Sequence, residues 1–374
     1  MELEVDDVGT TESNLQANIH SLLLTSPKQV TSKSSHLEDH DNGNVLDIPM
    51  IYNRIVEAHR MVRPMVRETP LDVSPILSKM TGCNKLLLKC DFLQHTGSFK
   101  YRGATNRIRL LTDRQRVDGV ITASTGNHGQ AIALAAKLAG THSTIYAPKS
   151  AAPIKLQAIE ALGGTVQLVD GNMLLAEKTA NAHAQEKDIL YISPYNDIDI
   201  VAGQGTCGME IVDQSLQLGL ESVDAVFVAV GGGGLITGTA IAIKQRWPNC
   251  KVVGCWPANA CSLYQNLEAG RIFEADEQPT IADGTAGGVD DGAITFELCQ
   301  QLIDERVLVS EEEIKSAMKL IANTDRFMIE GAAGVPLAAA LKTANHYQNK
   351  NIVVVLCGRN IMLEKYIKSI EEVL

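Results

Sequence analysis

From about residue 48 onward, short apolar runs alternate with longer helix-compatible segments, and that rhythm leaves few architectures open. The strand-like runs are 86–89, 119–123, 143–147, 165–169, 225–230, 251–255 and 352–357. The helix-like segments are 129–138, 154–162, 174–186, 203–218, 235–245, 311–323 and 332–342. Strands that alternate with helices predict an α/β fold, a parallel sheet joined by crossover helices. Ordered structure is expected to begin near Ile48, where Ile51, Ile55 and His59 fall at helical spacing. No repeat of solenoid period is present. The longest stretch without a clear period, 274–291, is expected to be a functional or mobile loop.

Open parallel sheets bind ligands at the carboxyl ends of their strands, so the residues that follow each run carry the functional signal. After the run at 86–89 comes Thr96-Gly97-Ser98-Phe99-Lys100-Tyr101-Arg102-Gly103-Ala104, with helix-compatible residues following. Desolvation and the positive end of a helix both lower the pKa of a lysine so placed, and a neutral amine there suits Schiff-base chemistry. The run at 119–123 ends in Ser124-Thr125-Gly126-Asn127-His128-Gly129, a turn whose N–H groups suit a carboxylate, although Ser and Asn also serve as ordinary helix caps. The run at 225–230 ends in Gly231-Gly232-Gly233-Gly234-Leu235 and opens another helix. It has neither dinucleotide spacing nor a Gly-Lys-Ser/Thr continuation, which points to a monophosphate as guest. The last run ends in Cys357-Gly358-Arg359-Asn360; taken alone, Cys357 reads as a buried structural thiol. One lysine, one anion turn, one phosphate loop and one thiol at successive strand ends suggest a single cofactor site.

At 374 residues the chain suggests two lobes around a shared core, preceded by a polar tail over residues 1–45 that is expected to be disordered. A formal charge of -11 argues against nucleic acid or an anionic membrane as partner. The eight cysteines form no CxxC pair, as expected of a reduced intracellular protein rather than a disulfide framework or zinc site. No apolar run reaches membrane-spanning length and no signal core opens the chain, so the cytoplasm is the expected compartment. Because the chain ends shortly after Cys357, no C-terminal sensor domain is expected.

The ordered set GSFKYRGA, STGNHGQA, GQGT (Gly203 to Thr206), GGGGL and CGRN resembles the fold-type II pyridoxal-phosphate enzymes, in particular the threonine/serine dehydratase and serine racemase branch. The resemblance runs from about Ile48 to the C-terminus. It implies a two-lobed α/β fold like that of the tryptophan synthase β subunit, with twisted, mostly parallel sheets and helices on both faces. The implied large domain comprises 46–117 and 192–374, and the small domain 118–191. By the same resemblance Lys100 binds pyridoxal 5'-phosphate as a Schiff base and moves the Cα proton, and Phe99 packs near the ring. Asn127 contacts the ring hydroxyl, Gly231, Gly232, Gly233, Gly234 and Leu235 hold the phosphate, and Cys357 faces the ring nitrogen. Glu330 matches a glutamate near the cofactor, and is equally readable as a helix N-terminal acid. Ser124, Thr125, Gly126, Asn127 and His128 are implied to bind the substrate carboxylate.

The activity expected from the resemblance is removal of the β-hydroxyl of L-threonine, L-serine or a related β-hydroxy amino acid, followed by hydrolysis of the enamine to a 2-oxo acid and ammonia. The alternative is serine racemisation, for which Thr125 would be the second catalytic residue, standing where racemases place a serine. No metal is expected, because Trp256 and Ser262 occupy positions where the family's cation site uses acidic ligands, and hard cations need oxygen donors. A homodimer is expected from the family. Arg359 stands near the ring nitrogen at a position that is usually small, and Tyr195, in the Ser193-Pro194-Tyr195-Asn196-Asp197 segment, is expected to face the substrate.

Overall fold

A computed structural model describes residues 46–373, so the expectation for the N-terminal tail lies outside the described residues. Its strands are β1 (Leu71–Val73), β2 (Lys85–Lys89), β3 (Val120–Ala123), β4 (Ser143–Pro148), β5 (Thr165–Val169), β6 (Leu190–Tyr191), β7 (Ala225–Ala229), β8 (Lys251–Pro257), β9 (Glu305–Val309) and β10 (Asn351–Val355). They form two sheets, a six-stranded one ordered β1-β2-β10-β7-β8-β9 and a four-stranded one ordered β5-β4-β3-β6. All pairings are parallel except β1 with β2. The fold is thus the expected α/β arrangement with helices on both faces.

The centre of the large sheet follows directly from composition. β2, β10 and β7 lie side by side with Val353 opposite both Leu87 and Val226, and their apolar residues are fully buried, as a strand covered on both faces requires. Three strands were absent from the sequence reading. β1 and β6 are three and two residues long, too short to carry a period, and β9 begins with Glu305 and Arg306 and stays partly exposed along an edge. The helix expected at 203–218 instead begins at Ile198, where Asp197 accepts hydrogen bonds from the N–H groups of Asp199 (2.8 Å) and Ile200 (3.2 Å).

Two packing devices position the lysine found in the sequence. Lys100 opens the helix Lys100–Arg109, which crosses the helix Ile198–Gln217 at Gly103 and Gly203. A Cβ on Gly203 would lie 2.6 Å from the Gly103 Cα, so the two backbones touch only because both residues are glycine. The second device is a strap. The N–H of Phe99 donates to Cys357 O (3.0 Å), and that of Arg359 donates to Gly97 O (2.9 Å), fixing the segment before Lys100 alongside the exit of β10.

Candidate active site

Between the two sheets lies a cleft of about 950 Å³. The four strand-end segments singled out in the sequence all line it, from Phe99-Lys100 and Ser124–His128 to Gly231–Leu235 and Cys357, and Glu330 joins them. Residues about 260 positions apart thus meet in one place, which the parallel topology explains, since the ends of β2, β3, β7 and β10 open towards the cleft.

Lys100 sits at the N-terminus of its helix, and its Nζ donates to Pro194 O at 2.8 Å and lies 5.1 Å from the centre of the Phe99 ring. Burial lowers its pKa to about 8, so a substantial fraction is neutral near physiological pH. Cys357 is buried and its thiol is pushed well above the usual range, first by burial and then by the Glu330 carboxylate, which keeps it a protonated S–H.

On the far side of the cleft, the turn 124–126 leads into the helix Asn127–Leu138, whose N-terminus has no side-chain cap. The N–H groups of its first turn are therefore free for an anion. His128 is buried, with Nε2 3.2 Å from Ile192 O, an acceptor that fixes the proton on Nε2. Burial, reinforced by Lys100, lowers its pKa to about 3, which makes it a neutral imidazole and a poor anchor for charge. Nδ1 is buried without a hydrogen-bond partner.

The glycine loop opens the helix Gly234–Arg246, again with no side-chain cap. Gly233 has φ +88°, a left-handed conformation, and a Cβ there would lie 2.9 Å from Cys299 Sγ. A Cβ on Gly232 would meet the Tyr195 ring at 2.3 Å. Uncapped N–H groups behind a loop that excludes side chains fit a phosphate, and a desolvated amine facing the same cleft fits an aldehyde, so the residues present fit pyridoxal phosphate.

Glu330, 4% exposed, precedes the helix Gly331–Lys342 without capping it through its side chain. Its Oε1 accepts from Asn127 Nδ2 at 2.8 Å and its Oε2 from the Asn360 N–H at 2.9 Å. Burial and then Asp283 raise its pKa to about 7. Pro194, Asn360, Lys155 and Asp290 also line the cleft, with no sequence signal marking them individually. Lys155 bridges to Asp283 at 3.1 Å, and the Asp290 N–H donates to the Tyr195 hydroxyl at 2.9 Å, holding that ring over the glycine loop. Arg359, expected near the ring nitrogen, is instead exposed and does not line the cleft. Trp256 is buried within β8, and Ser262 Oγ donates to Glu277 at 2.5 Å.

Comparison with known proteins agrees with this construction. The family described as "Pyridoxal-phosphate dependent enzyme" matches residues 62–358. An L-threonine ammonia-lyase from Thermotoga maritima is 40% identical over 308 residues, spanning 82% of this chain and 75% of that one. The processed threonine deaminase isoform 2 of Solanum lycopersicum superposes with a TM-score of 0.81 at 33% identity, covering 92% of this chain and 98% of that one. Serine racemase from Dictyostelium discoideum gives 0.75 at 34%, covering 83% and 98%. Matched over most of its length by the family model and by these relatives, and with a cleft that fits the cofactor, the chain belongs to the pyridoxal-phosphate dependent enzymes.

Proposed function

We propose that this protein is a threonine/serine ammonia-lyase, releasing a 2-oxo acid and ammonia from L-threonine, L-serine or a related β-hydroxy amino acid. The observation that carries the reading is the desolvated Lys100 amine in a cleft shared with a glycine-loop helix N-terminus and the Ser124–His128 turn. The relatives named as threonine ammonia-lyase and threonine deaminase support it.

Pyridoxal phosphate, when bound, supplies an electron sink that acidifies the Cα–H of an amino acid. In this reading the N–H groups of Thr125, Asn127 and His128, which have no acceptor among the described residues, hold the substrate carboxylate and set which bond at Cα faces Lys100. Lys100, with its pKa lowered to about 8 by burial, takes the Cα proton at Nζ. The glycine loop and Leu235 would hold the phosphate and Asn127 would be the donor available to the ring oxygen, while Phe99 packs beside Lys100. Cys357 would be the group offered to the ring nitrogen; its neutral S–H is a weak proton donor and would limit how much negative charge the site stabilises. The β-hydroxyl leaves as water, which accounts for the proton taken from Cα, and a second water hydrolyses the released enamine to the 2-oxo acid and ammonia.

Racemisation is the second reading, favoured by one observation: Thr125 brings a hydroxyl to the cleft from the β3 side while Lys100 enters from the β2 side. The small domain is read as 118–191, around the four-stranded sheet, and the large one as 46–117 with 192–374. The eight buried, unpaired thiols support a reducing, cytoplasmic setting, and a homodimer is the family-based expectation. The test is incubation of purified holoenzyme with L-threonine and L-serine, with 2-oxo acid assay and chiral analysis of the remaining amino acid. Accumulating 2-oxo acid is expected. Conversion to D-serine without 2-oxo acid would overturn the lyase reading in favour of the racemase, and absence of cofactor absorbance would sink both.

A further inference from the structure

The cleft contains one amide held at both ends by protein groups. Asn360, five residues beyond β10, donates from Nδ2 to Thr96 O at 2.9 Å and to Asn127 Oδ1 at 2.5 Å. A backbone carbonyl can only accept, so Asn360 must turn Nδ2 towards Thr96, and the same NH₂ group then meets Asn127. Asn127 is thereby obliged to present Oδ1 to Asn360 and Nδ2 to Glu330, whose Oε1 accepts at 2.8 Å. The Asn360 N–H in turn donates to Glu330 Oε2 at 2.9 Å, closing a ring of hydrogen bonds. One Nδ2 proton of Asn127 is used by Glu330; the other has no acceptor among the described residues, and Asn127 lines the cleft.

We propose that Asn360 is a positioning residue: together with Glu330 it locks the Asn127 amide so that an N–H, and not a carbonyl oxygen, faces the cleft. The lock rests on the reading above that Asn127 meets the ring oxygen of the cofactor. A fixed donor favours the anionic form of that oxygen over its protonated form. The lock also joins the two sides of the cleft, since Asn127 begins a helix that follows β3 of the four-stranded sheet, whereas Asn360 and Glu330 follow elements of the other side. It should therefore be detectable without cofactor.

The discriminating substitution is Asn360→Asp, which replaces the donor facing Thr96 O and Asn127 Oδ1 by an acceptor and drives the Asn127 amide to turn round, Glu330 taking up a proton to donate to its Oδ1. Asn360→Ala removes the donor without reversing the amide. Two readouts apply, the absorbance spectrum of the holoenzyme as a function of pH and amide hydrogen exchange of the cofactor-free protein. In N360D the visible band of the bound cofactor is expected to lose intensity to the shorter-wavelength, protonated-oxygen form. N360A should shift it less. Exchange of the hydrogen-bonded amides of Ser124 and Gln130, which flank the turn, should accelerate roughly tenfold in the cofactor-free protein of both variants, at unchanged global melting temperature. If both variants keep the wild-type spectrum at every pH, Asn360 does not orient Asn127, and the proposal is overturned even if activity falls. If instead Asn127→Ala leaves the wild-type spectrum and cofactor affinity unchanged, the underlying contact of Asn127 with the cofactor is wrong and the lock has no role.

Discussion

Arg102 lies two residues beyond Lys100 and is fully buried. Its Nε and Nη2 donate to the two carboxylate oxygens of Asp91, both at 2.8 Å, while Nη1 and Nη2 reach Glu210 at 2.8 and 2.7 Å. Lys89 donates to Glu210 at 2.7 Å and Arg63 reaches it at 3.3 Å, so three cations surround the two carboxylates beneath the lysine helix. Burial alone would raise the Glu210 pKa; Arg102 and then Lys89 outweigh it and bring it to about 2. A carboxyl whose folded-state pKa is depressed contributes stability above the ordinary carboxylate range and loses it as pH falls towards the folded value. Arg102→Met leaves Asp91 with no cation among the described residues and Glu210 with only Lys89 and the partly exposed Arg63, and losses of this kind are about 3–5 kcal/mol at neutral pH. Urea denaturation should show that loss at neutral pH and a clearly smaller one near about pH 3, where the carboxylates are being protonated in the unfolded chain. An equal loss at both pH values would mean that the guanidinium acts through packing alone.

At the scale of elements, two helices present free N-termini to one cleft, and their loops are shaped for different guests. The Ser124–His128 turn keeps polar side chains, whereas Gly231–Gly234 excludes them. Tyr195 explains part of that exclusion: its hydroxyl is pinned by the Asp290 N–H and its ring would lie 2.3 Å from a Cβ on Gly232. Overpacking a rigid site costs about 1–3 kcal/mol, so Gly232→Ala is expected to weaken cofactor binding roughly tenfold or more. Titration of the cofactor-free variant with pyridoxal phosphate, followed by absorbance, checks this, and wild-type affinity would show that the phosphate does not use this loop. Element boundaries that depend on local signals, such as Thr165–Val169, were read correctly from sequence. The strand expected to run to Cys357 leaves the ladder after Val355, because Cys357 O and the Arg359 N–H turn to pair with Phe99 and Gly97 instead.

For the molecule as a whole, the net charge of -11 is expressed at the cleft as well. Among the described residues that line it, Glu177, Glu274, Glu277, Asp283, Asp290, Asp291 and Glu330 outnumber Lys100, Lys155 and Lys178, and Lys155 is already engaged by Asp283. Asp290 also contributes, after burial, to the raised pKa of Glu177 from the opposite side. A site so lined disfavours an anionic side chain on the substrate. Like-charge juxtaposition costs several kcal/mol when desolvated, so 3-hydroxyaspartate is expected to have a kcat/KM at least about tenfold below that of threonine. Steady-state kinetics on the two substrates decide this; comparable values would place the β-substituent away from these carboxylates. Among the described residues, no helix is long and apolar enough to cross a membrane.

By itself the sequence determined the α/β rhythm, the strand ends that carry chemistry and the identity of Lys100, because burial periodicity and turn chemistry are local properties of the chain. Tertiary structure alone decided the rest. It joined Asn127 to Asn360 across 233 positions and Lys89 to Glu210 across 121, set Gly103 against Gly203, and turned Arg359 out to solvent. The physical reason is that an apolar or polar pattern records which face of an element is covered, not what covers it. The partner is chosen only when sheet order and helix crossing bring distant backbones within hydrogen-bonding distance.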